Sequence, residues 1–296
     1  MSGQQRQWIS LHSGELGVEI NPFGAELSAV RDRAGRDVLW DGDPAVWSGR
    51  APLLFPIVGE LTGGRYRLDG AAYSLSRHGF ARRSHFEIVA ASATTASLRL
   101  TADAATLAVY PFHFELTVQF EVRRAALSIT ASIRNLGEVG LPASFGYHPA
   151  FRWPLPYGHA RADHFIEFTA DEPDPVRRLN AQGLLTAERH ATPIVRQRLT
   201  LADPLFQDDA VIFDEVKSRT VTYGAASGPR IRVSYPGSAY LGVWSKPGAP
   251  FVCIEPWRGI ADPEGFAGDF RTKPGIFTVA PGATTAIPMS ISLEEI

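Results

Sequence analysis

Alternation of apolar and polar residues is the strongest regular signal in this chain. Phe114, Leu116, Val118, Phe120 and Val122 fall on one face of an extended segment, with Glu115, Thr117, Gln119 and Glu121 on the other. A period of two belongs to a β-strand with one buried side. After Arg123, Arg124 and Ala125 the pattern resumes, with Leu127, Ile129, Ala131 and Ile133 opposite Ser128, Thr130, Ser132 and Arg134. Two such strands on so short a connection predict an antiparallel hairpin with one wet face. Its register is firmly set: a one-residue slip would expose the five apolar side chains of the first strand, at about 1.5–3 kcal/mol each.

Further strand patterns lie at 16–20, 96–100, 210–213, 220–223, Arg230–Ser234, Tyr240–Trp244 and 251–254. No run supports a helix of three turns, and 102–109 is the best short candidate. The 27 glycines and 22 prolines are spread along the chain rather than gathered into a linker. Strand follows strand without intervening helices, which argues against a parallel α/β sheet. The expectation is an all-β protein, a large antiparallel β-sandwich forming a single domain over residues 1–296.

Composition narrows the partners. Twenty-nine Lys+Arg against 31 Asp+Glu leave a net charge of −2, so no global field recruits nucleic acid or an anionic membrane. Anion binding would need a local cluster of arginines. One cysteine, Cys253, excludes an intramolecular disulfide and a Cys-based zinc site. Its apolar neighbours, Phe251, Val252 and Ile254, mark it as a small buried hydrophobe. Residues 1–7 contain no apolar run of signal-peptide type, and no 18-residue apolar stretch follows. The expectation is a cytoplasmic protein.

Four segments place ionisable groups where a sandwich has no structural need of them. Arg50 precedes Ala51-Pro52-Leu53-Leu54-Phe55-Pro56, whose two prolines bar it from a central strand. Read alone, Arg50 is either a locally paired surface arginine or a planar fork that grips substrate oxygens. His78 sits in Ser76-Arg77-His78-Gly79-Phe80-Ala81-Arg82-Arg83, which reads equally as a solvated basic loop. His148, in Gly146-Tyr147-His148-Pro149-Ala150-Phe151, is kept out of helical geometry by the following proline. Flanked by aromatics, it is either a partly desolvated titrating group or a core histidine satisfied by a carbonyl. Glu255 ends the apolar run 251–254 beside Pro256 and Trp257. A carboxylate there must be paired, protonated or used. Trp257 offers an apolar face of the kind that stacks on sugar C–H surfaces, and equally a core side chain.

In order and spacing, these segments together resemble the aldose 1-epimerase (galactose mutarotase-like) family, in its bacterial branch of short members. The resemblance runs from Gly17-Val18-Glu19-Ile20 to the last strands. It implies a β-supersandwich whose cleft binds an aldose, with His148 as general acid and Glu255 as general base. It further implies that His78 and Arg50 bind sugar oxygens, joined by an Asp from a middle strand. Asp209 is the best match for that Asp, with Asp208 adjacent. Relatives acting on hexose 6-phosphates hold the phosphate with an arginine of the His-Gly-Phe-Ala-Arg segment, and Arg82 stands at that position. Anomers interconvert through the open-chain aldehyde, by removing a proton from the C1 hydroxyl and delivering one to the ring oxygen. That chemistry calls for no cofactor, which agrees with the lack of a P-loop or dinucleotide fingerprint.

Three rival readings remain. A glycoside hydrolase would pair Glu255 with Asp208 or Asp209 and leave the histidines idle. A non-catalytic sugar-binding protein would need the aromatic and arginine contacts but no acid–base pair. A metal-dependent isomerase finds no close ligand spacing among the eight histidines.

Overall fold

A computed structural model describes residues 8–295. The first seven residues, which bear on the targeting expectation, lie outside it. The alternating segment at 114–122 forms the strand Phe114–Arg123, and its sequel forms Ala126–Asn135. They pair antiparallel, Arg123 opposite Ala126 and Phe114 opposite Asn135, around the two-residue turn at Arg124 and Ala125. All nine apolar residues of the pattern, from Phe114 to Ile133, are buried.

This hairpin lies in a nine-stranded antiparallel sheet. The strand order is Arg198–Thr200, Phe165–Phe168, Thr220–Gly224, Arg230–Ser234, Thr284–Glu294, Ala126–Asn135, Phe114–Arg123, Thr95–Thr101 and Glu87–Ala91. Thr284–Glu294 has no counterpart among the strands read from sequence, because Pro288 interrupts its pattern. Pro288 is tolerated because it lies beyond Ser290, the last residue paired to Arg230–Ser234, so only one neighbour strand flanks it. The helix candidate is realised as the short α-helix Ala104–Val109, the single α-helix among the described residues, capped reciprocally by Asp103 and Thr106.

A second, six-stranded sheet runs in the order Val211–Phe213, Tyr240–Trp244, Phe251–Arg258, Phe145–Tyr147 and Leu53–Leu54, with Ala150–Arg152 also paired to Phe251–Arg258. Leu53–Leu54 is one of the two edge strands, as the flanking prolines require. A three-stranded sheet of Ile9–His12, Leu16–Asn21 and Glu26–Asp32 completes the main framework. The two large sheets share one continuous apolar core that includes Phe120, Ile133, Tyr147, Val252 and Ile254. Tyr147 fastens them together. The Ala131 N–H donates to the Tyr147 hydroxyl at 3.0 Å, and that hydroxyl donates to the Ile287 carbonyl at 2.6 Å. Successive residues of a strand point to opposite faces, so Tyr147 entering the core sends His148 the other way.

Candidate active site

The strand Phe251–Arg258 shows how the sequence builds the site. Val252 and Ile254 belong to the core between the sheets. Glu255 and Trp257, on the opposite face, line a cavity of about 280 Å³, near the lower end for small-molecule sites. The strand runs on past Glu255, where the sequence pattern placed its end. Pro256 is accommodated because the neighbouring pairing has a gap there. Gly146 faces Trp257 and Ala150 faces Cys253, and the same register carried through the unpaired residues between them sets His148 opposite Glu255. Pro149 and Pro256, on adjacent segments, leave a gap in the ladder, and across it the register holds His148 and Glu255 side by side. His148 Nε2 lies 3.1 Å from Glu255 Oε2, with both side chains almost wholly buried.

Trp47 stacks on the His148 ring, with centroids 5.2 Å apart and planes inclined by 28°. Trp244 meets the same ring edge-on at 5.9 Å. Trp257 fills the cavity wall because Gly242, the residue paired with Glu255, leaves room for it. A Cβ at Gly242 would come within 2.5 Å of the Trp257 ring.

His78 reaches the cavity from a tight loop. It takes the left-handed conformation, φ 66°, followed by Gly79 at φ 71°. A Cβ on Gly79 would stand 2.2 Å from the Phe55 carbonyl oxygen, so only glycine fits there. The Gly59 N–H donates to His78 Nδ1 at 3.1 Å, and the His78 N–H donates to the Gly59 carbonyl at 2.8 Å. With Nδ1 accepting, the neutral ring carries its proton on Nε2 and is a donor there.

Asp209 lines the cavity, while Asp208 is exposed and does not. The Asp209 backbone is also left-handed, φ 60°. Its Oδ1 accepts the Ala210 N–H at 2.7 Å, and its Oδ2 lies 3.7 Å from an Arg77 guanidinium nitrogen. Arg82 lines the cavity too. One of its terminal nitrogens donates to the Arg77 carbonyl, and its Nε is buried without a hydrogen-bond partner.

Arg50 stands apart from the other candidate residues. It is not among the cavity-lining residues. Its guanidinium donates to the Ser28 carbonyl at 2.8 Å and lies over the Trp8 ring, while its backbone N–H donates to Glu26 Oε1. The locally paired reading of Arg50 fits this geometry. The arginine added to the cleft is Arg77, adjacent to His78 in a segment already singled out. Trp47 was also missed. It precedes Gly49-Arg50 by two residues, but nothing local in the sequence points its ring at His148.

Burial sets the protonation of the site. It drives the Glu255 carboxyl well above its usual value of 4.5; Asp209 adds to this and Arg77 opposes it. It pulls the His148 imidazole below 6.5, helped by Arg77 and Arg82. His78 is lowered well below 6.5, by burial first, then His148 and the two arginines. A neutral pair holding one proton between His148 and Glu255 satisfies both directions, because either net charge would be penalised in this setting.

The comparisons agree with this architecture. The aldose 1-epimerase family model matches residues 7–277, and the chain belongs to that family of carbohydrate isomerases. It is 30% identical to the plasmid-borne protein LacX of Lactococcus lactis subsp. lactis, over 96% of this chain and 99% of that protein. A galactose mutarotase related enzyme from Lactobacillus acidophilus superposes with a TM-score of 0.91 at 28% identity, covering 98% of each chain. A galactose mutarotase-like protein from Lactobacillus casei gives 0.90 at 26% identity, over 97% of this chain and all of that one. Among the described residues no helix is long and apolar enough to cross a membrane.

Proposed function

We propose that this chain interconverts the α and β anomers of an aldohexose or a hexose 6-phosphate, with His148 as general acid and Glu255 as general base. The observation that carries the reading is the 3.1 Å contact between His148 Nε2 and Glu255 Oε2 at the cavity. The C1 hydroxyl and the ring oxygen of an aldose share one carbon. A proton donor and acceptor this close therefore address both oxygens at once.

The proton inventory closes without solvent. Moving the shared proton from Glu255 to His148 gives carboxylate plus imidazolium at no change in net charge. Glu255 then takes the C1 hydroxyl proton as His148 protonates the ring oxygen, and the C1–ring oxygen bond breaks. The enzyme is left with protonated Glu255 and neutral His148, which is its neutral resting form. After rotation about C1–C2 the aldehyde presents its other face, and the reverse transfers close the ring. Trp47, stacked on the imidazole, favours its cationic form at the moment it is needed. His78, a neutral donor through Nε2, and Asp209 are suited to hold sugar hydroxyls, and Trp257 to pack on C–H surface.

Arg82 supports an anionic substituent on the sugar. Its guanidinium lies at the cavity with Nε unpartnered, and burial and the nearby Arg77 and Arg83 cations pull its pKa down, to about 10. A phosphate would relieve both conditions. Polarimetry on purified protein tests the whole proposal. Equilibration of pure α-anomer should be accelerated without added metal or nucleotide. A rate equal to the buffer blank for neutral and phosphorylated hexoses alike would leave only a sugar-binding protein. With this reading we also propose a single domain over residues 1–296 and a cytoplasmic location.

A further inference from the structure

His148 Nε2 and Glu255 Oε2 have a third neighbour. One ligand atom each from His148, Cys253 and Glu255 lie within 4.8 Å of one another, and all three residues are buried. Cys253 and Glu255 are two apart on the strand Phe251–Arg258 and so share a face. His148 lies opposite Glu255 on the neighbouring segment, between the pairings Gly146 to Trp257 and Ala150 to Cys253. Imidazole, thiol and carboxylate are the donor types that zinc takes together, and catalytic-type zinc geometry needs three protein ligands with the fourth position open. Here the open side is the cavity, which His148 and Glu255 both line.

We propose that these three residues form an inhibitory site for a thiophilic divalent cation, Zn²⁺ or Cd²⁺, which occupies the acid–base pair and excludes the sugar. Two physical features favour it. Zinc bonds of about 2.0–2.3 Å put tetrahedral ligand atoms about 3.3–3.6 Å apart. The His148–Glu255 spacing of 3.1 Å is already close to this, and all three ligand atoms lie within 4.8 Å of one another. Charge is the second feature. A divalent cation with one thiolate, one carboxylate and a neutral imidazole sums to zero, the state that a buried site tolerates best. On binding, the thiol proton and the proton of the His148–Glu255 pair leave to solvent. A single cysteine excludes a zinc site made of several cysteines; a mixed site needs only one. His148 is separated from the other two ligands by more than a hundred positions in the chain, which is why no ligand spacing announces the site.

The inhibition part of this inference rests on the epimerase reading; the binding part does not, and the test separates them. Cd²⁺ is titrated into the full-length protein while the ultraviolet cadmium–thiolate absorption and the melting temperature are followed. Wild type should develop the band to one equivalent and gain melting temperature, whatever its activity. Cys253→Ala should lose the band, and zinc should bind it at least about tenfold more weakly, since even losing a partner of a ligand costs 10–100-fold. Because Cys253 touches no sugar in the proposed mechanism, Cys253→Ala and Cys253→Ser should keep wild-type turnover but lose most of the zinc inhibition. Either variant suffices if the other misfolds. No stoichiometric band in wild type, or equal zinc binding by wild type and a folded Cys253 variant, would overturn the proposal. A band without any epimerase activity would leave the metal site standing and overturn only the enzyme reading.

Discussion

His148 and Glu255 meet at 3.1 Å, Nε2 to Oε2, across a gap in the ladder between two adjacent strand segments. At that separation a proton gained or lost by one is felt by the other, so a change to either member alters the proton chemistry of both.

Replacing either member should damage chemistry more than binding. His148→Asn and Glu255→Gln preserve size and some hydrogen bonding but cannot exchange the required protons. Each should lower turnover by about 10²–10⁴-fold while the dissociation constant of the sugar moves much less. Because the two act as a unit, the double variant should be scarcely slower than the poorer single. Normal turnover by folded Glu255→Gln would refute the mechanism.

The pH dependence is set by the directions in which burial drives the two groups. On the acid side, activity is lost when the pair gains a second proton, leaving imidazolium beside a protonated carboxyl. Burial opposes that net positive state, so this limb falls below the 6.5 of a free histidine. On the alkaline side, activity is lost when the pair surrenders its only proton and leaves a buried carboxylate. Burial opposes that too, so this limb lies well above the 4.5 of a free carboxyl. A plot of kcat/KM against pH should show a broad plateau through neutrality. A decline that begins near pH 6.5 on the alkaline side would mean that the pair does not hold its proton.

Arg82→Ala distinguishes anionic from neutral substrates. Loss of a charge-assisted contact should weaken a hexose 6-phosphate by about 1.5–3 kcal/mol and leave the free hexose nearly unchanged. Calorimetric titration with both sugars reads the difference directly. Equal losses would make Arg82 a structural residue of its loop.

Arg50 should behave in the opposite manner. Its guanidinium is engaged by the Ser28 carbonyl and the Trp8 ring outside the cavity. Arg50→Ala should therefore cost stability, about 1–3 kcal/mol for the unmatched buried partner, and leave sugar affinity unchanged. Denaturant unfolding and ligand titration of the same variant measure the two effects.

The shared core of the two large sheets bears on cooperativity. Residues 1–296 should unfold in one transition, with circular dichroism and tryptophan fluorescence melting together. Separate transitions would divide the chain into independent units.

The period-two pattern at 114–133 was enough to define the hairpin, its buried face and its register, because side-chain alternation and burial are local properties of a strand. Arg230–Ser234 and Tyr240–Trp244 were legible to the residue for the same reason. Glu255 announced itself as a carboxylate in an apolar run. The sequence also brought out His148 and His78, but through the order of several motifs rather than through any one. Other features depended on through-space neighbours. Pro288 hid the strand Thr284–Glu294, since a proline's tolerance depends on which side of it has a partner. Arg50 and Arg77 are equal as arginines in loops; only packing sends one to Ser28 and the other beside Asp209. The same holds for Asp208 and Asp209, whose neighbouring carboxylates part company at one left-handed residue. Trp47 over His148, and Cys253 beside the acid–base pair, join positions far apart in the chain. Local pattern determined which residues lie in strands and which of their faces are buried. Chain reversal and close packing decided which side chains share the cavity, and so what chemistry they perform together.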